Sequence, residues 1–453
     1  MLNTKIEAVQ ANNGVWLQQW TPEDPAFWES TGRQLAWRTL AITTANLTLA
    51  FIAWFVVSAL VVRLPAAGFK LSTTELFWLA AMPGLAGGTM RMVHAFLTPL
   101  YGTRNVVGYA TLSLLIPMAG WSFAVQDPST PYWVLLLLAF LAGLGGGNFS
   151  SFMPSTSLYF PKRLQGTALA IQAGIGNLGV SIVQFVTPWI IGFALAGTLL
   201  GGPQTATSAN GQTSAVWLQN AAAIYVPFIL FFGVAALVSL KSVPVRANFR
   251  EQLDIFRMKH GLFMTFLYVA TFGTFSGLAA TFPLLIQKIY GDFPDAPDPL
   301  AYAFLGPLVG SLARILGGPL SDRVGGARVT HWSAIGMLGS AIAITFFTTP
   351  TSLADFPYFV AAMLSLFLFA GVGNASTFKQ MPMLFPPRQA GGIIGWTAAM
   401  AAYGPFACGL MLGYAYDWFG SFNAFFYWAA IFYLVCIIIN WWYYARSGAE
   451  KPC

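Results

Sequence analysis

Runs of about twenty mostly apolar residues, the length needed to cross a bilayer core about 30 Å thick, recur from one end of this chain to the other. Twelve can be separated, near residues 40–62, 76–100, 105–125, 132–155, 165–191, 217–240, 261–287, 300–320, 329–348, 357–378, 390–414 and 421–444. In lipid, backbone polar groups must be satisfied within the chain, so spans of this length are helices. The expected fold is therefore an all-α membrane protein. Composition agrees, with only 8% charged residues where a soluble domain carries about 25%. No charge lies between Arg163 and Lys241, yet that stretch divides in two because residues 197–214 form a small, polar, turn-rich connection. Cys408, Cys436 and Cys453 lack disulfide or metal spacing.

Twelve spans put both termini on one side. With that side cytoplasmic, Lys5, Arg33, Arg38, Arg104, Lys162, Arg163, Arg323, Arg328, Arg388, Arg446 and Lys451 face inward. The central connection adds Lys241, Arg246, Arg250, Arg257 and Lys259, whereas the outer face receives only Arg63, Lys70 and Lys288 among several aspartates. This is the positive-inside pattern. It divides the chain into an N-terminal segment 1–39, a six-helix bundle 40–240, a basic linker 241–260, a second six-helix bundle 261–445 and a tail 446–453.

The two bundles repeat each other in sequence. Gly145-x-Gly147-Asn148-x-Ser150-Ser151 recurs as Gly371-x-Gly373-Asn374-x-Ser376-Thr377, and Phe160-Pro161-x-Arg163-x-x-Gly166 as Phe385-Pro386-x-Arg388-x-x-Gly391. Gly87, Arg91 and Gly102 match Gly310, Arg314 and Gly325 at the same intervals. Parallel repeats of this kind imply bundles related by an axis along the membrane normal, with the substrate cavity between them.

Charges inside a membrane are costly and mark function by default. Three basic groups fall within spans, Arg91, Arg314 and Lys379, and no acidic group does. Arg91 and Arg314 each precede the loop glycine by eleven residues, which at 1.5 Å per residue is roughly 16 Å, near the bilayer midplane. As repeat mates they are expected to face each other across the cavity. A planar, permanently charged fork without a carboxylate suits an oxyanion; the plainer alternative is that each arginine bonds backbone carbonyls and only packs helices. Lys379 lies at the cytoplasmic end of the tenth span, where snorkelling explains it and a coupling role is the alternative. His94, one turn beyond Arg91, reads first as a packing histidine and second as a proton relay. In the fifth span Gly166, Ala170, Gly174, Asn177 and Ser181 share a face. The small residues suit close helix approach, and Asn177 adds a neutral donor and acceptor.

The loop Gly318-Pro-Leu320-Ser-Asp322-Arg323-Val-Gly325-Gly-Ala-Arg328 resembles the cytoplasmic-loop motif of the major facilitator superfamily, whose usual role is interbundle locking; the first-half copy, Leu97 to Arg104, lacks the acidic residue. The ordered set of Trp20-Thr-Pro-Glu-Asp-Pro25-Ala-Phe-Trp28, Arg91, Gly147-Asn148-Phe149, the glycine-rich fifth span, Tyr268-Val-Ala-Thr-Phe272-Gly273, Arg314 and Ala370-Gly371-Val-Gly373-Asn-Ala-Ser376-Thr377-Phe378 resembles the nitrate/nitrite porter family of that superfamily. The second glycine-rich signature, Gly395 to Pro405, has fewer glycines than other versions of that family carry. The resemblance implies an anion clamped by Arg91 and Arg314, contacted by Asn177 and stacked between aromatic rings at Phe149, Tyr268, Phe272 and Phe51. Ordinary packing would explain each ring equally well in a chain with 39 phenylalanines.

The resulting expectation is a monomeric secondary transporter of nitrate and nitrite in the cytoplasmic (inner) membrane, working by alternating access, with nitrate/nitrite antiport as the first reading. Nitrate/proton symport through His94 or Lys379, and a phosphate or organophosphate exchanger, are the alternatives. A receptor or scaffold leaves the paired arginines without a purpose. A membrane-embedded enzyme needs a His/Asp/Glu cluster that the spans lack. The partners are small anions and the lipid bilayer, with no nucleic acid, cofactor or metal.

Overall fold

The computed structural model describes residues 15–195, 200–207, 211–244 and 258–453, the side chains of 387–391 aside. Lys5, Arg246, Arg250, Arg257 and most of the expected linker 241–260 lie outside the described residues, as does the side chain of Arg388.

Nearly everything described is helix. In chain order these are α1 (Arg33–Leu60), α2 (Thr73–Ser113), α3 (Leu115–Ala124), α4 (Tyr132–Ala142), α5 (Leu144–Gly147), α6 (Phe149–Ser157) and α7 (Lys162–Ile190). There follow α8 (Val226–Ser239), α9 (Lys259–Tyr268), α10 (Thr274–Tyr290), α11 (Leu305–Val324), α12 (Gly326–Thr345), α13 (Phe356–Leu384), α14 (Pro387–Ala402), α15 (Gly404–Phe419) and α16 (Asn423–Asn440). Among the described residues, ten continuous or nearly continuous helical stretches are long and apolar enough to cross a membrane. One of them, Thr73–Ala124, covers two expected spans, and α12 is not among the ten. Large side chains such as Trp133, Phe231, Leu316, Trp332 and Phe346 stand exposed on the outside. That is the surface of a protein solvated by lipid.

Local chemistry sets the helix ends. Ser72 and Glu75 form a reciprocal capping box at the start of α2, the Ser72 hydroxyl accepting from Glu75 N and the Glu75 carboxylate from Ser72 N at 2.8 Å. Gly102 interrupts α2 at φ 75°, and Gly325 separates α11 from α12 at φ 100°. Both are left-handed conformations that a side chain disfavours, and both fall eleven residues after the repeated arginines.

Three details differ from the expectation. Helix begins at Pro25, capped by the Asp24 side chain, rather than near residue 40, and passes through a π-helical turn, Trp28–Gly32, into α1; the residues before it are docked instead of trailing free. Trp16 pairs with Ser242 in a parallel bridge, the Trp20 indole donates to Leu158 O (3.0 Å), and Leu17, Trp28, Leu40, Tyr159 and Phe160 form a small apolar cluster. The turn-rich connection between the fifth and sixth spans contains a two-stranded antiparallel hairpin, Gln204–Thr207 with Thr213–Val216, pinned by Thr207 N to Ala66 O at 2.9 Å. Asp322 of the loop motif forms an ion pair with Lys379, so it ties the end of α11 to α13 within the second part of the chain rather than linking the two parts.

Glycine faces decide how the parts on either side of residue 241 meet. A Cβ at Gly84 would lie 2.4 Å from Phe406 N, one at Gly88 2.5 Å from the Tyr403 ring, and one at Gly409 2.7 Å from Ala81 Cβ. These contacts seat α2 against α14 and α15. Gly174 of α7 meets Ile315 of α11 in the same way, at 2.5 Å.

Candidate functional site

Arg91 and Arg314 enter from different parts of the chain and share one aromatic cluster. Arg91 is fully buried; its Nε donates to Gly146 O (2.9 Å) and its Nη1 to Ala398 O (2.7 Å). Its guanidinium carbon lies 4.6 Å from the Phe149 ring centre, 5.0 Å from Phe272 and 5.4 Å from Trp54. Arg314 is 7% exposed and lies 6.0 Å from both Phe149 and Phe272, and 5.8 Å from Phe378. The two cations thus meet the same pair of rings, Phe149 and Phe272, whose centres are 6.5 Å apart with their planes 28° from parallel. Cation–π attraction of this kind is worth about 0.5–2 kcal/mol per contact, more as water is excluded.

Tyr268 and Phe51 join the same cluster. Tyr268 stacks on Phe272 at 5.7 Å with an interplanar angle of 11°, and Phe51 meets Phe149 edge-on at 6.4 Å. A π-helical turn, Val269–Gly273, sits between α9 and α10 and carries Phe272. Such wide turns recur at functional sites. Asn177 is 1% exposed, on the face of α7 that carries Gly174 toward α11.

The cluster also holds polar atoms without partners, two of them on buried cations. Arg91 Nη2, Arg314 Nη1, the Tyr268 hydroxyl and both amide atoms of Asn177 are buried and have no hydrogen bond. An unmet buried polar atom costs about 1–3 kcal/mol, and more when charged. Among the described residues, no carboxylate pairs with either arginine; the ion pairs involve Arg33, Arg63, Lys259, His260 and Lys379. Donors predominate among these atoms, and the two arginines with their rings make an electropositive, aromatic-walled region chemically fitted to a small planar anion.

The other candidates separate from this group. His94 is buried and its Nδ1 is hydrogen-bonded to Ser151 Oγ at 2.8 Å, the packing arrangement. Lys379 is about one third exposed and paired with Asp322. Sequence reasoning missed Trp54 and Phe378 as neighbours of the arginines, together with the carbonyl acceptors of Gly146 and Ala398. Trp54 had a readable signal: it lies one helical turn beyond Phe51.

The chain matches the Major Facilitator Superfamily over residues 43–378 and 264–452. It is 65% identical over 445 residues to the probable nitrate/nitrite antiporter NarK2 of Thermus thermophilus, covering 98% of this chain and all of that one. The chain belongs to the nitrate/nitrite porter family of that superfamily. Within the family it is also 36% identical to the nitrate/nitrite transporter NarU of Escherichia coli, over 96% of this chain and 98% of NarU. Among solved structures, the nucleoside transporter NupG superposes with a TM-score of 0.62 at 12% identity, covering 89% of this chain and 98% of that one. A bacterial homologue of the lysosomal transporter Spinster, inward-facing and unoccupied, gives 0.61 at 12% identity over 90% of this chain and 96% of its own. At such identity these two speak for the fold alone. Membership makes the chain a multi-pass membrane transporter and not an enzyme.

Proposed function

We propose that this porter carries nitrate and nitrite across the cytoplasmic membrane by alternating access, exchanging one for the other. The observation that carries the reading is the pair of buried arginines from opposite parts of the chain, each with an unpaired N–H group and both set against Phe149 and Phe272. The anion would lie between the rings, taking those donors together with the Asn177 amide and the Tyr268 hydroxyl. Nitrate and nitrite are flat monoanions, and a forked donor on each side suits them. A phosphate dianion would call for further cations that this cluster lacks.

The finer architecture is part of the same reading. Twelve spans arise if α2 is divided at Gly102 and α12 is counted, giving six on each side of the linker 241–260 and both termini in the cytoplasm. Matched positive-φ glycines at 102 and 325 support this repeat. Polar ties between the two parts gather toward one side. On the outer side the parts are tied by Arg63 to both oxygens of Asp298 (2.8 and 2.6 Å), by Gln287 to Val62 O (2.8 Å) and by Gln184 to Ala279 O (2.8 Å).

Exchange follows from the electrostatics. Without an anion, closing the site brings two cations together in a dry pocket, a configuration disfavoured unless a counter-charge is present. Here Arg91 is partly compensated by carbonyls from both parts of the chain, whereas Arg314 depends on rings alone. The test is nitrate uptake into proteoliposomes loaded with nitrite, against empty ones under an inward proton gradient. Uptake requiring internal nitrite supports exchange; gradient-driven uptake into empty vesicles would replace it with symport. On the exchange reading, His94→Asn is expected to leave the pH profile of transport unmoved, since His94 serves Ser151. A displaced pH optimum in that variant would reinstate the histidine as a relay.

The outer ties give a further expected result. Arg63 and Asp298 are 23% and 41% exposed, so their pairing is worth at most about 1 kcal/mol, or roughly fivefold in an equilibrium. Ala280 lines the seam beneath it with Ser58, Ala80 and Pro83. In a carrier with its native cysteines removed, Ala280→Cys should label several-fold faster from outside when Asp298→Asn is added. The charge swap Arg63→Asp with Asp298→Arg should return labelling to the original rate. Equal labelling in all three backgrounds would remove the pair as an outer tie.

A further inference from the structure

We infer that Trp54 is the residue that positions Arg91, and that it makes the two arginines of the site unequal. The inference rests on the proposed anion site and adds a residue to it that neither the motifs nor the repeat pattern singles out.

Trp54 is 1% exposed and is seated between two glycines that bracket Arg91. A Cβ on Gly87 would lie 2.9 Å from the indole, and one on Gly146 would lie 2.7 Å from it and 2.8 Å from Gly87 Cα. Gly87 is one helical turn before Arg91 on α2, on the same face. Gly146 supplies the carbonyl that accepts from Arg91 Nε at 2.9 Å. The indole therefore fills the crevice where α1, α2 and α5 come together, and fixes both the backbone that carries Arg91 and the carbonyl that orients it.

Trp54 is not equipped to meet the anion itself. Its one donor, Nε1–H, is spent on Pro83 O at 2.9 Å, and its ring is flanked by Phe55 at 4.8 Å and Phe51 at 5.4 Å. It acts through Arg91, whose guanidinium lies 5.4 Å from its ring.

The second part of the chain provides the internal comparison. Phe272 and Phe275 repeat the three-residue spacing of Phe51 and Trp54. Phe275 occupies the corresponding seat: a Cβ on Gly310, the mate of Gly87, would lie 2.7 Å from its ring. Phenylalanine has no N–H to anchor it, and the residue after Gly371 is Val372 rather than a second glycine. Arg314 correspondingly meets rings but has an unpaired Nη1 and a small exposed area. The site thus has a fixed fork on one side and a freer one on the other. The fixed fork sets the plane in which the anion is received, and the freer one adjusts to nitrate or nitrite.

The test compares Trp54→Phe, Trp54→Leu and Gly87→Ala in nitrite-loaded proteoliposomes, with rates normalised to folded carrier recovered by size exclusion. The expected result is a rise in the KM for nitrate of about tenfold in Trp54→Leu, an orientation penalty equivalent to about 1.4 kcal/mol. Smaller rises are expected in Trp54→Phe and Gly87→Ala, with the maximal rate per folded carrier held within about twofold. A purely structural role predicts the opposite split, with less folded carrier and an unchanged KM, and that result would overturn the inference. Should Trp54→Leu fail to fold, the KM of the Phe and Ala variants decides alone. If the unmodified carrier does not exchange nitrate for nitrite, the proposed function fails first, independently of Trp54.

Discussion

Nitrate exchange by Arg91→Lys and by Arg314→Lys is expected to fall about ten- to a hundredfold, with the folded carrier still recovered, because losing a charge-assisted hydrogen bond costs about 1.5–3 kcal/mol. Lysine keeps the charge but not the planar fork. For Arg91 the loss is compounded, since a single ammonium cannot reach Gly146 O and Ala398 O and still present a donor to the anion. For Arg314 the lost element is the flat face held 6.0 Å from both Phe149 and Phe272. Initial rates in nitrite-loaded vesicles check this. Near-normal rates in both lysine variants would mean that charge alone recruits the anion, and the forked geometry would have no role.

Gly145→Val and Gly371→Val are expected to abolish recovery of folded carrier. These repeat mates sit where helices touch backbone to backbone: a Cβ on Gly145 would lie 2.1 Å from Ala50 O, and one on Gly371 2.2 Å from Gly310 O. Overpacking a close-packed contact costs about 1–3 kcal/mol when neighbours can yield, and more when the obstacle is a backbone carbonyl. Gly166→Ala is the control. Nothing lies within 4 Å of its added carbon, and alanine is the better helix former by about 1 kcal/mol. Its melting temperature in detergent should hold or rise. If the valine variants melted like the parent, the backbone contacts at 145 and 371 would not be limiting.

The contrast between these glycines shows which parts of the molecule were legible in the sequence. The spacing of Gly87 to Arg91 to Gly102, recurring at 310, 314 and 325, marked two membrane arginines as mates, and the structure brings them to a shared pair of rings. Membrane burial makes such a charge conspicuous, because few residues carry one there. The acceptors of Arg91 were not legible. Any residue offers a carbonyl, so Gly146 O and Ala398 O leave no trace in residue type, and Ala398 is more than three hundred positions away. The π-helical turn at 269–273 depends on hydrogen-bond register rather than composition. The position of Lys379 at a span end suggests snorkelling, or else coupling, and nothing in its neighbourhood in the sequence suggests an ion pair. Its partner Asp322 lies near the end of α11, far from it in sequence, and pairing across such separations is a property of the fold. The spacing of the fifth span puts Gly166 and Gly174 on one face suited to close helix approach, whereas in the structure Gly174 is pressed against Ile315 and Gly166 is open.

The docking of the N-terminal segment bears on how the protein is made. Trp16 finds its backbone partner at Ser242, after the sixth span, and the Tyr159 hydroxyl donates to Lys241 O at 2.6 Å in the same patch. During synthesis at about 5–20 residues per second, roughly two hundred residues separate the emergence of these partners, a wait on the order of 10–40 s. Until then Leu17 and Trp28 have only part of their apolar seat, which Tyr159 and Phe160 complete. The earliest residues described are thus among the last of the first part to find their place. That bridge can close only once the chain through Ser242 has been made.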